Sequence, residues 1–488
     1  MAINEKRAPR RRTKIDATLG PATDDPGALE DLIRAGVDVV RLNFSHGGAD
    51  NQAARVATVR AVGARAGRNV AIMGDLQGPK IRIESFVEGA VELVDGQEFV
   101  LDTAMDANAG SSERVGVTYR NLVDDVELGD VLLLDDGKII LGVESTEGSE
   151  IRCRVFNGGP LAGNKGVNKR GGGLSAPALT GKDRSDIEVA AKLGFDFLSV
   201  SFARNADDIE EARSLLRAAG GHGHIVAKIE RAEAIENIDS IIDASDVVMV
   251  ARGDLAVEVG YASMTGLQKS LIINARSRQR VSITATQMLE SMITQSSPTR
   301  AEVSDVANAV MDGTDAVMLS AETAVGTNPA RAVRTMAEIC VGAEKHERFR
   351  RAQNFRIDEA FHHVDEAIAM AAMYVANHLE VEAIIALTES GSTTLWMSRL
   401  RSEIPIYAFT RHVETQRRVM LYRGVCPENF DVVHMEPSSV HQSAFDVLTR
   451  QGLLEAGDRV LFTTGDLRGI SGRTNTLQII EVPSSGSA

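Results

Sequence analysis

The run HIVAKIE (224–230) ends with Lys228 and Glu230, two residues apart. On a strand that spacing puts both side chains on one face. A second carboxylate, Asp254, follows the next apolar run in the sequence ARGD. Carboxylates from neighbouring strands can converge on one ion. Two carboxylates completed by phosphate oxygens and water form the usual Mg²⁺ shell. The plainer alternative is an ion-pair network of Lys228, Glu230 and Arg252 that serves structure alone, since such networks are common. RLNFSHG (41–47) closes another apolar run with a guanidinium, an amide, a hydroxyl and an imidazole, on Arg41, Asn43, Ser45 and His46. Arg41 suits two-point binding of phosphate. His46 has an ordinary use as a loop or capping residue. Thr286 in ATQMLESM could orient a water or relay a proton, or simply cap a helix. In GDLQGPKIRIE, Asp75 is followed by a Gly78-Pro79 breaker and then by Lys80 and Arg82, which makes either a solvated loop or the mouth of a site.

Chemistry at the ends of apolar runs needs a scaffold that brings those ends together. Eight such runs occur, at 13–19, 37–44, 69–76, 195–202, 224–230, 246–255, 280–287 and 315–323, each followed by a helical pattern or an insertion. Strand–helix alternation implies a parallel sheet. Eight repeats predict a closed (β/α)8 TIM barrel, whose chemistry sits at the carboxyl ends of the strands. The barrel is expected over 1–83 and 181–353. The interruption, 84–180, has short alternating strands and Gly and Asp turns, and is expected to be an inserted all-β lid domain built as a β-barrel. It ends in a Gly-rich stretch, NGGPLAGNKGVNKRGGG, expected to be mobile. An insertion after the third strand hangs over the active face, which suits a lid. From 354 to 488 a helix and the runs AIIALTES, IPIYAFT, FDVVHME, RVLFTTGD and TLQIIEV predict a third unit, an open α/β sheet.

That third unit has its own candidate site. TESGSTT (388–394) contains Thr388, Glu389, Ser390, Gly391, Ser392 and Thr393 after an apolar strand and before a helix. Hydroxyls and glycine there make an anion site, or ordinary capping. TTGDLRGISGRTNT (463–476) adds a second Gly- and hydroxyl-rich loop with Arg468 and Arg473. A phosphorylated ligand is expected between them.

Composition narrows the class. The 488 residues are 43% hydrophobic and 25% charged, ordinary for a globular protein, and carry a net charge of −15, which argues against nucleic acid as partner. The basic cluster KRAPRRR (6–12) is expected to be a solvated arm. Cys153, Cys340 and Cys426 form no CxxC pair or disulfide framework, as suits a reducing cytosol. With no signal core and no membrane-length apolar run, a cytoplasmic location off the membrane is expected.

Read in order, RRTKIDATLGPAT, AGVDVVRLNFSHG, GDLQGPKIR, AKIERAEAI, ARGDLAVE, ATQMLESMI, PTRAEVSDVANAVMDGTDAVMLSAETAVG and TNTLQII resemble the blocks of the pyruvate kinase family across nearly the whole chain. NKGVNKRGGGLSAPALTGKD is similar to a bacterial, AMP-activated branch. The resemblance implies the last step of glycolysis, transfer of the phosphoryl group of phosphoenolpyruvate to ADP, giving pyruvate and ATP. It implies Mg²⁺ or Mn²⁺, a homotetramer, and an effector such as AMP or a sugar phosphate on the C-terminal domain. By position, Lys228 would stabilise the transferring phosphoryl group and the enolate. Glu230 and Asp254 would hold the metal. The backbone of Ala251, Arg252 and Gly253 would face the substrate carboxylate. Arg41 and Arg82 would contact phosphate, and Asn43, His46 and Lys165 would lie toward the nucleotide. Thr286 and Ser320 would serve the proton delivered to the enolate.

One departure from the family pattern is specific. Many members hold K⁺ with residues matching Asn43, Ser45, Asp75 and a threonine where this chain has Leu76, and have glutamate where it has Lys80. Leu76 with Lys80 resembles the K⁺-independent group, with the Lys80 ammonium expected beside Asp75 in the role of the ion. The rival readings are a Mg²⁺-dependent lyase or aldolase acting on enolpyruvate-like substrates, and a catalytically silent metabolite sensor.

Overall fold

The computed structural model describes residues 11–346, 361–466 and 472–484, and eight parallel strands in it close into a barrel. They are β1 (Lys14–Thr18), β2 (Val39–Asn43), β3 (Ala71–Asp75), β4 (Phe197–Val200), β5 (His224–Ile229), β6 (Val247–Ala251), β7 (Val281–Ala285) and β8 (Ala316–Leu319). Sequence neighbours pair throughout, and β8 closes on β1 from Lys14↔Ala316 to Ala17↔Leu319. Alternation explains what each strand does. Ile15, Ala17, Val40, Leu42, Ile72, Leu198 and Val200 point outward and pack with the helices in one apolar cluster. Val39, Ala71, Met73, Phe197, Val226, Met249, Ile283 and Met318 point inward and fill the lumen. Each fully buried Val, Leu, Ile, Phe or Met side chain among them contributes about 1.5–3 kcal/mol, and the alanines less. Followed upward with period two, the inward face leads to Arg41, Asp75 and Lys228 at the carboxyl ends. The barrel expected from the eight runs is therefore present.

The main sheet of the insertion has six strands, running in space Val167–Lys169, Val131–Leu134, Ile139–Glu147, Glu150–Asn157, Glu98–Asp102, Arg114–Gly116. The stretch 81–84 bonds to both of its edges: Val167 N–H donates to Ile81 O at 3.0 Å and Glu84 N–H to Gly116 O at 2.7 Å. Ala90–Leu93 and Gly159–Ala162 form a separate two-stranded ribbon. Register shifts at Ile140/Leu141 and Val143/Ser145 bend the long central hairpin, as bulges do. The core is a compact set that includes Phe99, Leu101, Leu132, Leu141 and Val155. The Gly-rich stretch expected to be mobile is docked on the barrel. Gly171 N–H donates to Glu258 O at 3.1 Å, and Gly173 N–H to Glu233 Oε1 at 2.5 Å. Gly172 has φ +80°, and a Cβ there would stand 2.5 Å from Glu233 Oε2, so any other residue would strain the backbone and displace the Glu233 carboxylate.

The third unit is an open sheet in the order Val425–Asn429, Ile406–Thr410, Ala383–Leu387, Arg459–Gly465, Thr474–Glu481, with the last strand antiparallel. One expectation fails here. FDVVHME is not a strand; the edge strand is the preceding VCPEN. Pro427 is tolerated because edge strands have free ladder positions, while Asp431 bonds Val433 N–H and His434 Nδ1 locally and turns the chain. Arg11 and Arg12 are likewise no solvated arm. Arg11 pairs with Asp38 at 2.7 Å, and Arg12 reaches Glu344 O at 3.0 Å and Ser402 O at 2.8 Å. Residues 6–10 of that cluster lie outside the described residues. No helix of the described residues is long and apolar enough to cross a membrane.

Candidate active site

Four inward side chains meet at the barrel mouth. Lys228 Nζ lies 2.8 Å from Glu230 Oε1, 3.3 Å from Asp75 Oδ1, and donates to Ser201 Oγ at 2.7 Å. Arg41 clasps Asp75 through Nε, at 2.7 Å to Oδ2, and through Nη2, and its Nη1 donates to Thr18 Oγ1 at 2.9 Å. The network holds its charges. Burial opposes ionisation of Asp75, but Arg41 and Lys228 outweigh it and hold the carboxyl below its ordinary range. Burial likewise opposes the Lys228 ammonium, and Asp75 and Glu230 overcome it, raising its pKa. Glu230 goes the other way. Burial raises it against the pull of Lys228, and the nearby Asp254 adds to the rise.

Of the alternative ion-pair network, Lys228 pairs with Glu230, but among the described residues Arg252 does not join them. The Arg252 side chain turns away to Asp305 at 2.7 Å and to the carbonyls of Ala285 and Thr286 at 3.1 and 2.6 Å. Nor does Asp254 end a strand. β6 stops at Ala251 and Asp254 sits in the first turn of the helix Arg252–Val259. The first turn of a helix leaves backbone N–H groups without intrahelical partners, and here Gly253 N–H donates to Thr286 Oγ1 at 2.9 Å. Thr286 (φ +67°) and Gln287 (φ +52°) are left-handed. For a β-branched residue this is strained backbone, of the kind that clusters at functional sites. Ser320, just beyond β8, caps the short helix Ala321–Ala324, its N–H bonded to Glu322 Oε2 at 2.7 Å.

Between the mouth and the inserted unit lies a cleft of about 200 Å³. Arg82 and Lys165 line it, with Asp254 on the barrel side. Arg82 Nη1 donates to Asn164 O at 2.7 Å, and Lys165 Nζ pairs with Asp135 at 2.9 Å. Lys80 also lines this cleft and is exposed. It forms no ion pair with Asp75 among the described residues; Arg41 and Lys228 take that place. The reason is the turn: Gly78 (φ +67°) packs against Ser201 and Phe202 and directs the chain outward, and its N–H donates to Asp183 Oδ1 at 3.1 Å. Asn43 Oδ1 accepts from Ser45 N–H at 2.8 Å, and Leu76 is buried with its carbonyl accepting from Ser201 Oγ at 2.7 Å. Ser45 and His46 stand on an exposed loop, away from the network.

Among the described residues no group of three or more His, Cys, Asp or Glu is placed to hold a metal. Glu230 with Asp254 is a two-carboxylate set instead, with the Glu230 carboxyl buried and raised chiefly by that burial. That fits a divalent cation whose remaining ligands are phosphate oxygens and water. Ser201, a strand-end residue in the sequence, anchors Lys228, whereas several cleft residues escaped the sequence reading. Asp135 and Asp136, both left-handed at φ +49° and +58°, come from a turn whose only signal was LDDG. Glu258 is one helical turn beyond Asp254 and faces the same cleft; burial pushes it up to about 7, against the Ala232 N–H and Arg231.

In the third unit, Gly391 (φ +85°) caps the helix Ser392–Ser398, and its N–H donates to Thr388 Oγ1 at 2.9 Å. Thr393 Oγ1 meets Thr474 Oγ1 at 2.8 Å, so the 388–393 loop does lie against the start of the last strand, beside Arg473. Glu389 is bonded to His412, and Ser390 O accepts from Arg418 at 3.0 Å. Ser392 Oγ lies 3.5 Å from Asp365. Arg468 lies outside the described residues.

Two family models match in order along the chain: the pyruvate kinase barrel domain over residues 10–333 and the pyruvate kinase alpha/beta domain over 366–480. The chain belongs to the pyruvate kinase family. It is 53% identical over 476 residues to pyruvate kinase II of Salmonella typhimurium, covering 97% of this chain and 99% of that one. It is 50% identical to pyruvate kinase of Haemophilus influenzae, covering 93% and 96%. It is 41% identical to pyruvate kinase of Geobacillus stearothermophilus, covering 96% of this chain and 80% of that relative. The chain is a phosphotransferase with a barrel and an alpha/beta unit, as the fold displays.

Proposed function

We propose that this pyruvate kinase family member transfers the phosphoryl group of phosphoenolpyruvate to ADP, giving pyruvate and ATP. The observation that carries the reading is the Lys228–Glu230–Asp75–Arg41 network at the barrel mouth, beside a cleft lined by Arg82, just before the insertion, and by Lys165 of the insertion. Phosphoryl transfer asks a protein for positioning and charge neutralisation rather than covalent chemistry. Glu230 and Asp254 would hold Mg²⁺ or Mn²⁺, which when bound neutralises phosphate charge and aligns the oxygens. Lys228, kept charged by Asp75 and Glu230, is aimed at the charge that develops on the phosphoryl group and the enolate. Arg41, held by Asp75 and Thr18, presents the edge of a fixed guanidinium to phosphate. The N–H groups at the start of the helix Arg252–Val259 suit the substrate carboxylate. Thr286 and Ser320, at the ends of β7 and β8, serve the proton delivered to the enolate. Arg82 and Lys165 take the nucleotide phosphates from the lid side, with Asn43 and His46 nearby, and closure excludes water that would otherwise hydrolyse the donor.

The units divide the work: 1–83 and 181–353 for catalysis, 84–180 as the lid, 354–488 for an effector. Thr388–Thr393, with Arg468 and Arg473, would take a phosphorylated metabolite, AMP or a sugar phosphate, in a cytoplasmic homotetramer. Activity without K⁺ is part of the proposal. Leu76 offers hydrocarbon where a hydroxyl would bind the ion, Asn43 Oδ1 is occupied by Ser45 N–H, and Lys80 supplies a fixed cation to the cleft. The test is a coupled pyruvate assay with phosphoenolpyruvate, ADP and Mg²⁺, with and without KCl, and with AMP and ribose 5-phosphate. Pyruvate formation that depends on ADP but not on KCl is expected. Pyruvate formed without ADP would overturn the kinase reading, and turnover restored only by KCl would overturn the K⁺-independent one.

A further inference from the structure

The lumens of such barrels are filled by layers of branched apolar side chains. This lumen contains a carboxylate. Ile15 and Ala17 of β1 pack outward, so Asp16 between them points inward, on the same face as Thr18. Asp16 is 0% exposed, and neither carboxylate oxygen has a hydrogen-bond partner. Strand pairing sets it beside Val39 of β2 and Met318 of β8. One pleat repeat above it, Thr18 accepts the hydrogen bond from Arg41 Nη1. Ser199 Oγ, on the inward face of β4, is also buried without a partner.

The charged groups that share this lumen are few. β1 adds Lys14, whose Nζ is turned to Val425 O at 2.6 Å on the barrel floor. β2 adds Arg41, β3 Asp75, and β5 Lys228 and Glu230, with His224 at its lower end, edge-on to Phe197 and its pKa lowered by burial. β4 offers the hydroxyls of Ser199 and Ser201. From β6, β7 and β8 come the uncharged Met249, Ile283 and Met318. Above the floor, Arg41 and Lys228 balance Asp75 and Glu230. That balance holds only while Asp16 is a neutral acid. Burial, against Arg41 and with the help of Asp75, pushes Asp16 up to about 7.

We propose that Asp16 is a positioning residue of the phosphoryl-transfer site, a buried acid whose ionisation weakens the hold of Arg41 and Lys228 on an anionic phosphate substrate. The proposal rests on the reading of Arg41 and Lys228 as phosphate-binding groups. A new negative charge about 7 Å below Thr18 acts on Arg41 through a medium far less polar than water. At an effective dielectric of about 20, softened by the open mouth, it is worth roughly five- to tenfold in affinity for a multiply charged anion.

The test compares wild type with Asp16→Asn and Asp16→Val, at saturating ADP and Mg²⁺, from about pH 6 to about pH 8.5. Both variants carry no charge at any pH, and comparing each with wild type cancels the titration of the substrate itself. The KM for phosphoenolpyruvate of wild type, divided by that of either variant, is expected to rise roughly five- to tenfold across the window, with the kcat ratio flat. A KM ratio that stays constant with pH would overturn the proposal. Replacing an unpartnered buried acid should raise the melting temperature, more so at the upper pH. Variants that melt below wild type throughout would show that the carboxylate makes stabilising bonds, and would overturn it as well. A wild type without ADP-dependent activity would instead contradict the functional reading itself.

Discussion

Replacing Arg399 should loosen the tie between the third unit and the barrel. Arg399 ends the seven-residue helix that follows the 388–393 loop. Its side chain is 3% exposed and that of its partner, Asp315, 4%. Arg399 donates to both Asp315 oxygens, at 2.8 Å to Oδ2, to Arg280 O at 2.6 Å and to Ser398 Oγ at 3.0 Å. Asp315 also accepts from Ser282 N–H at 2.8 Å. The pair therefore clamps the loop helix to the starts of β7 and β8, the strands whose far ends present Thr286 and Ser320. Arg399→Ala would leave Asp315 buried without its counter-charge, a loss of about 3–5 kcal/mol. Arg399→Lys retains the charge but not the fork, and should lose less. Arg399→Met combined with Asp315→Leu removes both charges and should recover most of the loss, except about 1–3 kcal/mol for the Ser282 N–H left without an acceptor. Trp396, the single tryptophan of the chain, lies in this same helix. Its fluorescence during urea unfolding reports the unit concerned, which matters because a chain of several units has no single unfolding equilibrium. An Arg399→Ala midpoint equal to that of wild type would refute the reasoning.

Asp16 also makes stability depend on pH. Its folded value of about 7 stands above the ordinary 3.8. The unfolded chain therefore gives up this proton first, and stability falls as pH rises from about 3.8 to about 7, then levels. By linkage the fall amounts to at most about 4 kcal/mol. Asp16→Val should remove it, which denaturant titrations at the two ends of the window would detect. Leu76→Thr with Lys80→Glu restores the donors that many relatives have. Velocity should then rise on adding KCl, whereas wild type is expected to be indifferent. Glu230→Gln removes one of two carboxylates, and the Mg²⁺ concentration for half-maximal velocity should rise by at least about tenfold, since a contact charge outweighs 1.4 kcal/mol.

Periodicity made the barrel legible. Eight apolar runs with helical followers admit one closed arrangement, and the alternation within each run already placed Lys228 and Glu230 on the face that became the mouth. It misjudged where strands end. ARGD continues the apolar run of β6 in sequence, yet Asp254 belongs to a helix, because β6 ends at Ala251 and the chain turns directly into the helix from Arg252. FDVVHME has better strand residues than VCPEN, but pairing with Ile406–Thr410 and local bonds from Asp431 decide the edge. The lid was legible as all-β, though the stretch 81–84 that bonds to both edges of its sheet was not, since that pairing joins residues far apart in sequence. Composition marked Gly171–Gly173 as mobile, whereas these glycines permit close docking against Glu233. Lys80 stood near Asp75 in sequence only. A left-handed Gly78 sends it outward, and the long-range partner of Asp75 proved to be Arg41, a strand neighbour that sequence distance conceals. Asp16 gave no warning at all, because one acid in an apolar run passes for noise until its lumen position is known.

The central claim is phosphoryl transfer by the Lys228 network, and following the phosphorus tests it most directly. Phosphoenolpyruvate labelled on its phosphate, mixed with excess wild-type enzyme, ADP and Mg²⁺ in a single turnover, should deliver the label to ATP in step with pyruvate formation. Lys228→Met, folded as judged by Trp396 fluorescence, should lose this transfer. Label released as free phosphate, or a Lys228→Met variant that labels ATP as fast as wild type, would contradict the account.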